Sequence, residues 1–247
     1  MEAESYEVRP TALRVFIGYR RSDLPVDRFR QLLGNSFMPG TPYMLQPLGL
    51  AAYLPGVVQK DEKTQTLPDE FAIIAYPSQE KWHQIMNETL RGRVYNQTHG
   101  GVYDGARSHA SFPVDLDRLP AHATDPYYLF DTTTDWQCGR TSVFVAAGAN
   151  ARGPVRSKLA NARPALRDAG ADQCIAATGD DWVLLWLHSA SADMSLVLKP
   201  TFIPGLTRVA CTEARRILCV AEPPNVELEG TAALNFIFIR AAEHFLR

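Results

Sequence analysis

Apolar residues alternate at the start of the chain. Leu13, Val15, Ile17 and Tyr19 fall on one side and Arg14, Gly18 and Arg20 on the other, which predicts a half-buried strand over residues 12–20. Asp23 and Pro25 then open a helix, with Val26, Phe29, Leu32 and Leu33 at helical spacing and a stop near Gly34 and Asn35. The next stretch, FMPGTPYMLQPLG, holds too much proline and glycine for regular helix, so an apolar loop is expected that packs under the domain or lines a pocket. Residues 50–58 and 70–77 read as two more strands, with Pro55 placing the first at an edge. Ser78 is a good N-cap for a helix whose stripe is Trp82, Ile85, Met86 and Leu90 and whose end is expected near Gly92. After a polar segment, SHASFPVDL supplies a fourth strand. The order is βαββαβ, a ferredoxin-like unit.

The order then starts again. Residues 117–140 carry turn signals and read as a linker. TSVFVAAGA is a strand, VRSKLANARPALRDAG a helix kinked or split at Pro164 and stopped at Gly170, and DQCIAATG with DWVLLWLHS two strands around a turn at Gly179 and Asp180. A short proline-broken helix, the strand ARRILCVAE and an apolar tail follow, the tail too continuous to assign by period. The expectation is an α+β protein of two tandem ferredoxin-like (βαββαβ) units: unit 1 over residues 1–116, a linker over 117–140 and unit 2 over 141–247.

Length and composition fit this picture. A chain of 247 residues, 46% hydrophobic and 21% charged, can bury a large core without disulfides. The net charge of -2 and the lack of a basic run give no support to a nucleic-acid partner. No apolar run is long enough to span a bilayer, and the acidic start MEAESYEVRP lacks the features of a signal peptide, so a cytoplasmic protein without a membrane partner is expected. Cys174 and Cys219 sit in apolar strand-like runs as small hydrophobes, and Cys138 has no neighbouring base. No dinucleotide, P-loop, zinc-protease or nucleophile-elbow motif is present, and no His and carboxylate residues show metal-ligand spacing.

The chemistry concentrates between Trp82 and Pro113. His99, in QTHGGV, is a candidate general acid or base, or else a loop histidine bonded to backbone. Arg93 and Arg107, with Arg91, could hold an oxyanion or enolate, or could pair with Glu88, Asp104 or Asp115. Tyr95 and Tyr103 flank His99 as hydroxyl donors or as aromatic packing. By alternation, His109 faces away from Phe112 and serves a different surface from His99 if Phe112 faces the helices.

The strand EFAIIAYPS, the helix beginning SQEKW and the segment GRVYNQTHGGVYD resemble the dimeric α+β barrel superfamily. That resemblance implies two ferredoxin-like sheets pressed together, by dimerisation or, as in this chain, by fusion into an intramolecular α+β barrel. It also implies a pocket between sheet and helices for small organic molecules, or in some branches haem. The expectation is a cofactor-independent enzyme acting on a small apolar or aromatic biosynthetic intermediate by cyclisation, isomerisation, elimination or oxygenation. His99, Arg93, Arg107, Tyr95 and Tyr103 are the expected catalytic residues, and Phe37, Met38, Tyr43, Met44 and His109 the substrate contacts. No metal or other cofactor is expected. The alternatives are a haem protein with His188 or His99 as axial ligand, and a non-catalytic small-molecule-binding protein. A homodimer stays open.

Overall fold

The computed structural model describes residues 12–58, 60, 65–120, 123–130, 134, 136, 139–147, 152–190 and 207–213, the last seven as backbone only. His122, Cys138, Cys219, the helix expected after residue 190, the strand ARRILCVAE and the apolar tail lie outside the described residues.

The first sheet contains β1 (Ala12–Gly18), β2 (Ala52–Val57), β3 (Glu70–Tyr76) and β4 (His109–Ser111) in the spatial order β2-β3-β1-β4. Every neighbouring pair is antiparallel, with Val15 opposite Ile73 on one side and Ser111 on the other. This is the ferredoxin-like arrangement: β1 and β2 run the same way, and β3 returns between them. Proline at position 55 is tolerated because β2 is an edge strand.

The second sheet repeats the order. It contains β5 (Val114–Asp115), β6 (Tyr127–Tyr128), β7 (Arg140–Ala147), β8 (Gln173–Thr178), β9 (Trp182–Ser189) and β10 (Thr207–Glu213). The spatial order is β10-β7-β9-β8-β6-β5, so its first four strands match those of the first sheet position for position. β10 precedes the stretch expected to supply this strand. Two short strands extend the sheet beyond β8: β6 lies in the segment read as a linker, and β5 was expected to continue β4. Pro113 separates β4 from β5, because it has no N–H to give to a ladder, and the chain crosses there from one sheet to the other.

The two sheets pack face to face. Leu13, Val15, Ile17, Phe71 and Ile73 of the first meet Val143, Val145, Leu184 and Trp186 of the second. Phe71 sets its ring edge-on to Trp186 at 5.6 Å, and the Trp182 indole N–H donates to the Tyr19 hydroxyl at 3.0 Å. A side chain as large as Trp186, with no exposed surface, contributes on the order of 3 kcal/mol by burial alone.

Helices cover the outer faces. α1 (Val26–Leu32) and α2 (Met38–Leu45) are joined by a π-helical stretch over Leu33–Phe37. The segment FMPGTPYML is thus helix rather than loop. Pro39 falls in the first turn, where its missing N–H costs nothing, while Pro42 is carried inside. The next helical run breaks at Thr89. α3 (Gln79–Glu88), capped by Ser78, stops there, and the Thr89 hydroxyl accepts from the Gly92 N–H at 2.9 Å to start α4 (Leu90–Thr98). Gly92 lies so close to α3 that a Cβ on it would sit 1.9 Å from the Ile85 carbonyl oxygen. The break turns Leu90 out to solvent, 71% exposed, and removes it from the stripe. On the second sheet, α5 (Arg152–Asp168) runs unbroken through Pro164 and ends before Gly170, whose φ of 92° is the left-handed stop expected of a glycine. Val155, Leu159 and Leu166 bury its inner face on Phe144 and Ala146.

Candidate functional site

β1 is a central strand, so both its faces are covered. Its odd-numbered residues face the second sheet, and Arg14 and Phe16 face the helices. Between this face and helices α3 and α4 lies a cavity of about 350 Å³. Small-molecule sites begin at roughly this size. Its wall includes Arg14 and Phe16 of β1, Tyr76 of β3, Trp82 of α3, Tyr95 of α4 and His99 at the end of that helix.

His99 closes the last turn of α4. Tyr95 lies one turn earlier, so the two side chains stack on one helical face with rings 4.8 Å apart and edge-on. Phe37 meets His99 edge-on from behind at 4.8 Å. The His99 Nδ1 lies 3.1 Å from the Tyr95 carbonyl oxygen. A carbonyl only accepts, so Nδ1 carries the proton and a neutral ring bears its lone pair on Nε2. Burial pushes the His99 pKa down; hydrogen bonds to the Tyr95 and Asn96 backbone oppose this, and the Arg14 charge adds to it. His99 is thus neutral and basic at Nε2 near pH 7.

Arg14 supplies the positive charge. Its guanidinium lies 3.8 Å over the Trp82 ring and donates to the Ala110 carbonyl oxygen at 2.7 Å. Its Nε is buried without a hydrogen bond, and no carboxylate pairs with it among the described residues. Burial lowers its pKa to about 10, so it stays protonated at neutral pH.

Tyr95 and Tyr103 reach past the wall into a buried polar cluster. The Tyr95 hydroxyl is 2.9 Å from Thr41 Oγ1. The Tyr103 hydroxyl bonds to Glu70 at the start of β3, and the Tyr53 hydroxyl lies 3.4 Å from the other Glu70 oxygen. Glu70 has no exposed surface and no cation beside it, and burial raises its pKa to about 7 against the opposing pull of Tyr103 and Tyr53. Burial likewise holds the phenols of Tyr53, Tyr95 and Tyr103 above their ordinary value.

The residues singled out from sequence divide. His99, Tyr95 and Tyr103 line the cavity, and His109 stands exposed at its rim. His109 also borders a second, open depression of about 460 Å³ beside Tyr19 and Asp181. Phe112 does face the helices, edge-on to Trp82 at 5.6 Å, yet His109 borders the same cavity as His99, contrary to the expectation that the two serve different surfaces. Arg93 does not reach the cavity: it is exposed on α4 and donates to the Asn87 carbonyl oxygen at 3.0 Å. Arg107 lies 4.1 Å over the Tyr19 ring and borders the second depression instead. Phe37, Met38, Tyr43 and Met44 are absent from the cavity wall; Phe37, Met38 and Met44 pack into the layer behind it. Arg14, Trp82 and Glu70 were missed. Tyr95 and His99, four residues apart, carried a legible sign that the polar segment is helical.

His188 is buried in β9, with Nδ1 3.3 Å from Asp172 Oδ2 and its ring 5.0 Å from that of Trp136. It is not part of the wall that holds His99. Among the described residues no three His, Cys, Asp or Glu side chains gather as metal ligands, and no helix is long and apolar enough to cross a membrane. Cys174 is a buried thiol, raised by burial to about 12.

No family model matches the sequence, and no curated protein matches it by sequence. Several solved structures share part of the chain trace. A provisionally named monooxygenase from Fusobacterium nucleatum is 10% identical with a TM-score of 0.39, covering 83% of this chain and 95% of that one. Another, from Lactobacillus acidophilus, is 7% identical with a TM-score of 0.40, covering 83% and 97%. An anthrone oxidase-like protein is 8% identical with a TM-score of 0.36, covering 87% and 98%. The fold and the site therefore stand on this chain's own geometry.

Proposed function

We propose that the chain is a cofactor-independent enzyme that moves a proton on a small, largely aromatic molecule held between the first sheet and helices α3 and α4. Cyclisation, isomerisation, elimination and oxygenation of an activated carbanion all begin with such a step. His99 takes the proton at Nε2, while Nδ1 stays tied to the Tyr95 carbonyl oxygen. Arg14, in place of Arg93 or Arg107, steadies the enolate or phenolate that develops, beside the rings of Phe16, Tyr76, Trp82 and Tyr95. The observation that carries the reading is one cavity lined both by a neutral imidazole and by a guanidinium with no carboxylate partner among the described residues.

The test is a thermal-shift and absorbance screen of phenols and enolisable ketones against the purified protein. His99→Ala is expected to keep the fold and to abolish turnover of a hit, and Arg14→Met to weaken binding of its anionic form at least tenfold. Equal turnover in His99→Ala would falsify the assignment of the base. For the haem alternative His99 is the better-placed ligand, since His188 is held against Asp172. A visible band on adding haemin that vanishes in His99→Ala would favour haem over proton transfer.

A further inference from the structure

The cavity and the open depression meet at His109, which borders both. The turn leading into β4 parts them: Gly105 and Ser108 line the cavity, while Arg107 lines the depression. That turn is fastened to the end of β1. The Tyr19 N–H donates to the Ser108 hydroxyl oxygen at 2.8 Å, and the Asp104 N–H donates to the Tyr19 carbonyl oxygen at 2.8 Å. The opposite wall of the depression is the turn between β8 and β9, which carries Asp180 and Asp181. This turn is held as well, by a hydrogen bond from the Gly179 N–H to the Trp182 carbonyl oxygen at 3.0 Å. The depression therefore has one wall from each sheet, both fixed before anything binds, which lowers the cost of binding.

The two walls carry opposite charges. Arg107 lies exposed, 4.1 Å over the Tyr19 ring, and pairs with no carboxylate among the described residues. Asp181 pairs with no cation among them, so no ion pair joins the two across the gap. Lys60, 5.9 Å over the same ring, is by contrast tied to Asp69 at 3.1 Å. The Tyr19 hydroxyl accepts from the Trp182 indole N–H and keeps its own proton to give. A bound anion would meet Asp181, and a bound cation would meet Arg107. A group bearing both charges is complementary to both walls. We propose that the depression holds the amino-acid end of the molecule whose ring occupies the cavity. Its carboxylate lies on Arg107 and the Tyr19 hydroxyl, its ammonium lies on Asp181, and the connecting chain passes over His109. The substrate class is then an amino acid whose side chain ends in an aromatic ketone or a phenol. The place of the ring rests on the cavity reading above, whereas the amino-acid end rests on the depression.

Titration calorimetry with three probes separates the two. The aromatic ketone o-aminoacetophenone reports on the cavity alone, L-alanine on the depression alone, and L-kynurenine joins both parts in one molecule. L-kynurenine is expected to bind at least tenfold tighter than either, because its second contact forms within one molecule. Arg107→Met and Asp181→Asn are each expected to cut that advantage at least fivefold. Arg93→Met, the same loss of charge on the outer side of α4, is expected to leave it unchanged. Altering the probe instead of the protein checks the same contact: L-kynurenine with its α-ammonium replaced by hydrogen is expected to bind at least fivefold more weakly. L-kynurenine held no tighter than the ketone, or an advantage that survives both substitutions, overturns the amino-acid end, while binding of the ketone still upholds the cavity. An unbound ketone, with L-alanine bound by the wild type and lost in Arg107→Met, overturns the cavity reading and upholds the depression. Failure of all three probes overturns both.

Discussion

Replacing Glu70 by glutamine gives a stability difference that depends on pH in a fixed direction. The folded pKa of about 7 lies above the ordinary value of 4.5. A proton held more tightly by the folded state stabilises it fully below pH 4.5, and that contribution is lost as the pH rises through about 7. The interval, at about 1.4 kcal/mol per pH unit, comes to about 3 kcal/mol. Glu70 is fully buried, so solvent screening does not reduce this figure much. The assay is urea unfolding of the wild type and Glu70→Gln at half-unit steps from pH 4.5 to 8. Other titrating groups are common to both proteins, so the difference between the curves isolates Glu70. The wild type is expected to lose about 3 kcal/mol relative to the variant across this range, with the difference flat above pH 8. Parallel curves, or a wild type that gains on the variant with rising pH, would refute the reasoning.

Three further outcomes follow from the packing and the site. Trp186→Ala, at the centre of the contact between the sheets, is expected to cost on the order of 4 kcal/mol in denaturant unfolding; a loss under 1 kcal/mol would mean that the sheets do not pack as described. Gly92→Ala forces a methyl onto the Ile85 carbonyl oxygen and is expected to cost at least about 2 kcal/mol, read as a lowered Tm, whereas the same change at Gly100, where a Cβ meets nothing, should leave Tm nearly unchanged. His99 is expected to titrate below the ordinary histidine pKa of 6.5 when followed by its ring NMR signals, since burial favours the neutral ring; a midpoint above 6.5 contradicts the environment assigned to it.

Much of the fold was legible because side-chain period follows backbone geometry. The alternation from Leu13 to Tyr19 marked β1, and Ser78 and Gly170 marked a helix start and a helix stop. The strand–helix order of the first unit follows from such local signs. The site was only half legible. Tyr95, His99 and Tyr103 drew notice by their chemistry, but Arg14 was read as the solvent side of a half-buried strand. Only the placement of β1 between β3 and β4 covers that side, and strand order is a non-local property that period does not encode. Glu70 looked like the polar start of a strand, and only the approach of Tyr53 and Tyr103, distant along the chain, makes it a buried acid. Arg93 and Arg107 lie elsewhere for the opposite reason: a charge close in sequence to a site residue is not close in space when α4 turns Arg93 outward and the turn before β4 sets Arg107 over Tyr19. FMPGTPYML was misread because proline counts against helix on average, yet Pro39 occupies the one turn where it fits.

The inner faces of the two sheets are consumed by one another within a single polypeptide. Among the described residues, a second molecule therefore finds neither of these inner faces vacant. The same coverage makes either half, expressed alone, a fragment with a bare sheet of valine, isoleucine and tryptophan side chains turned to water.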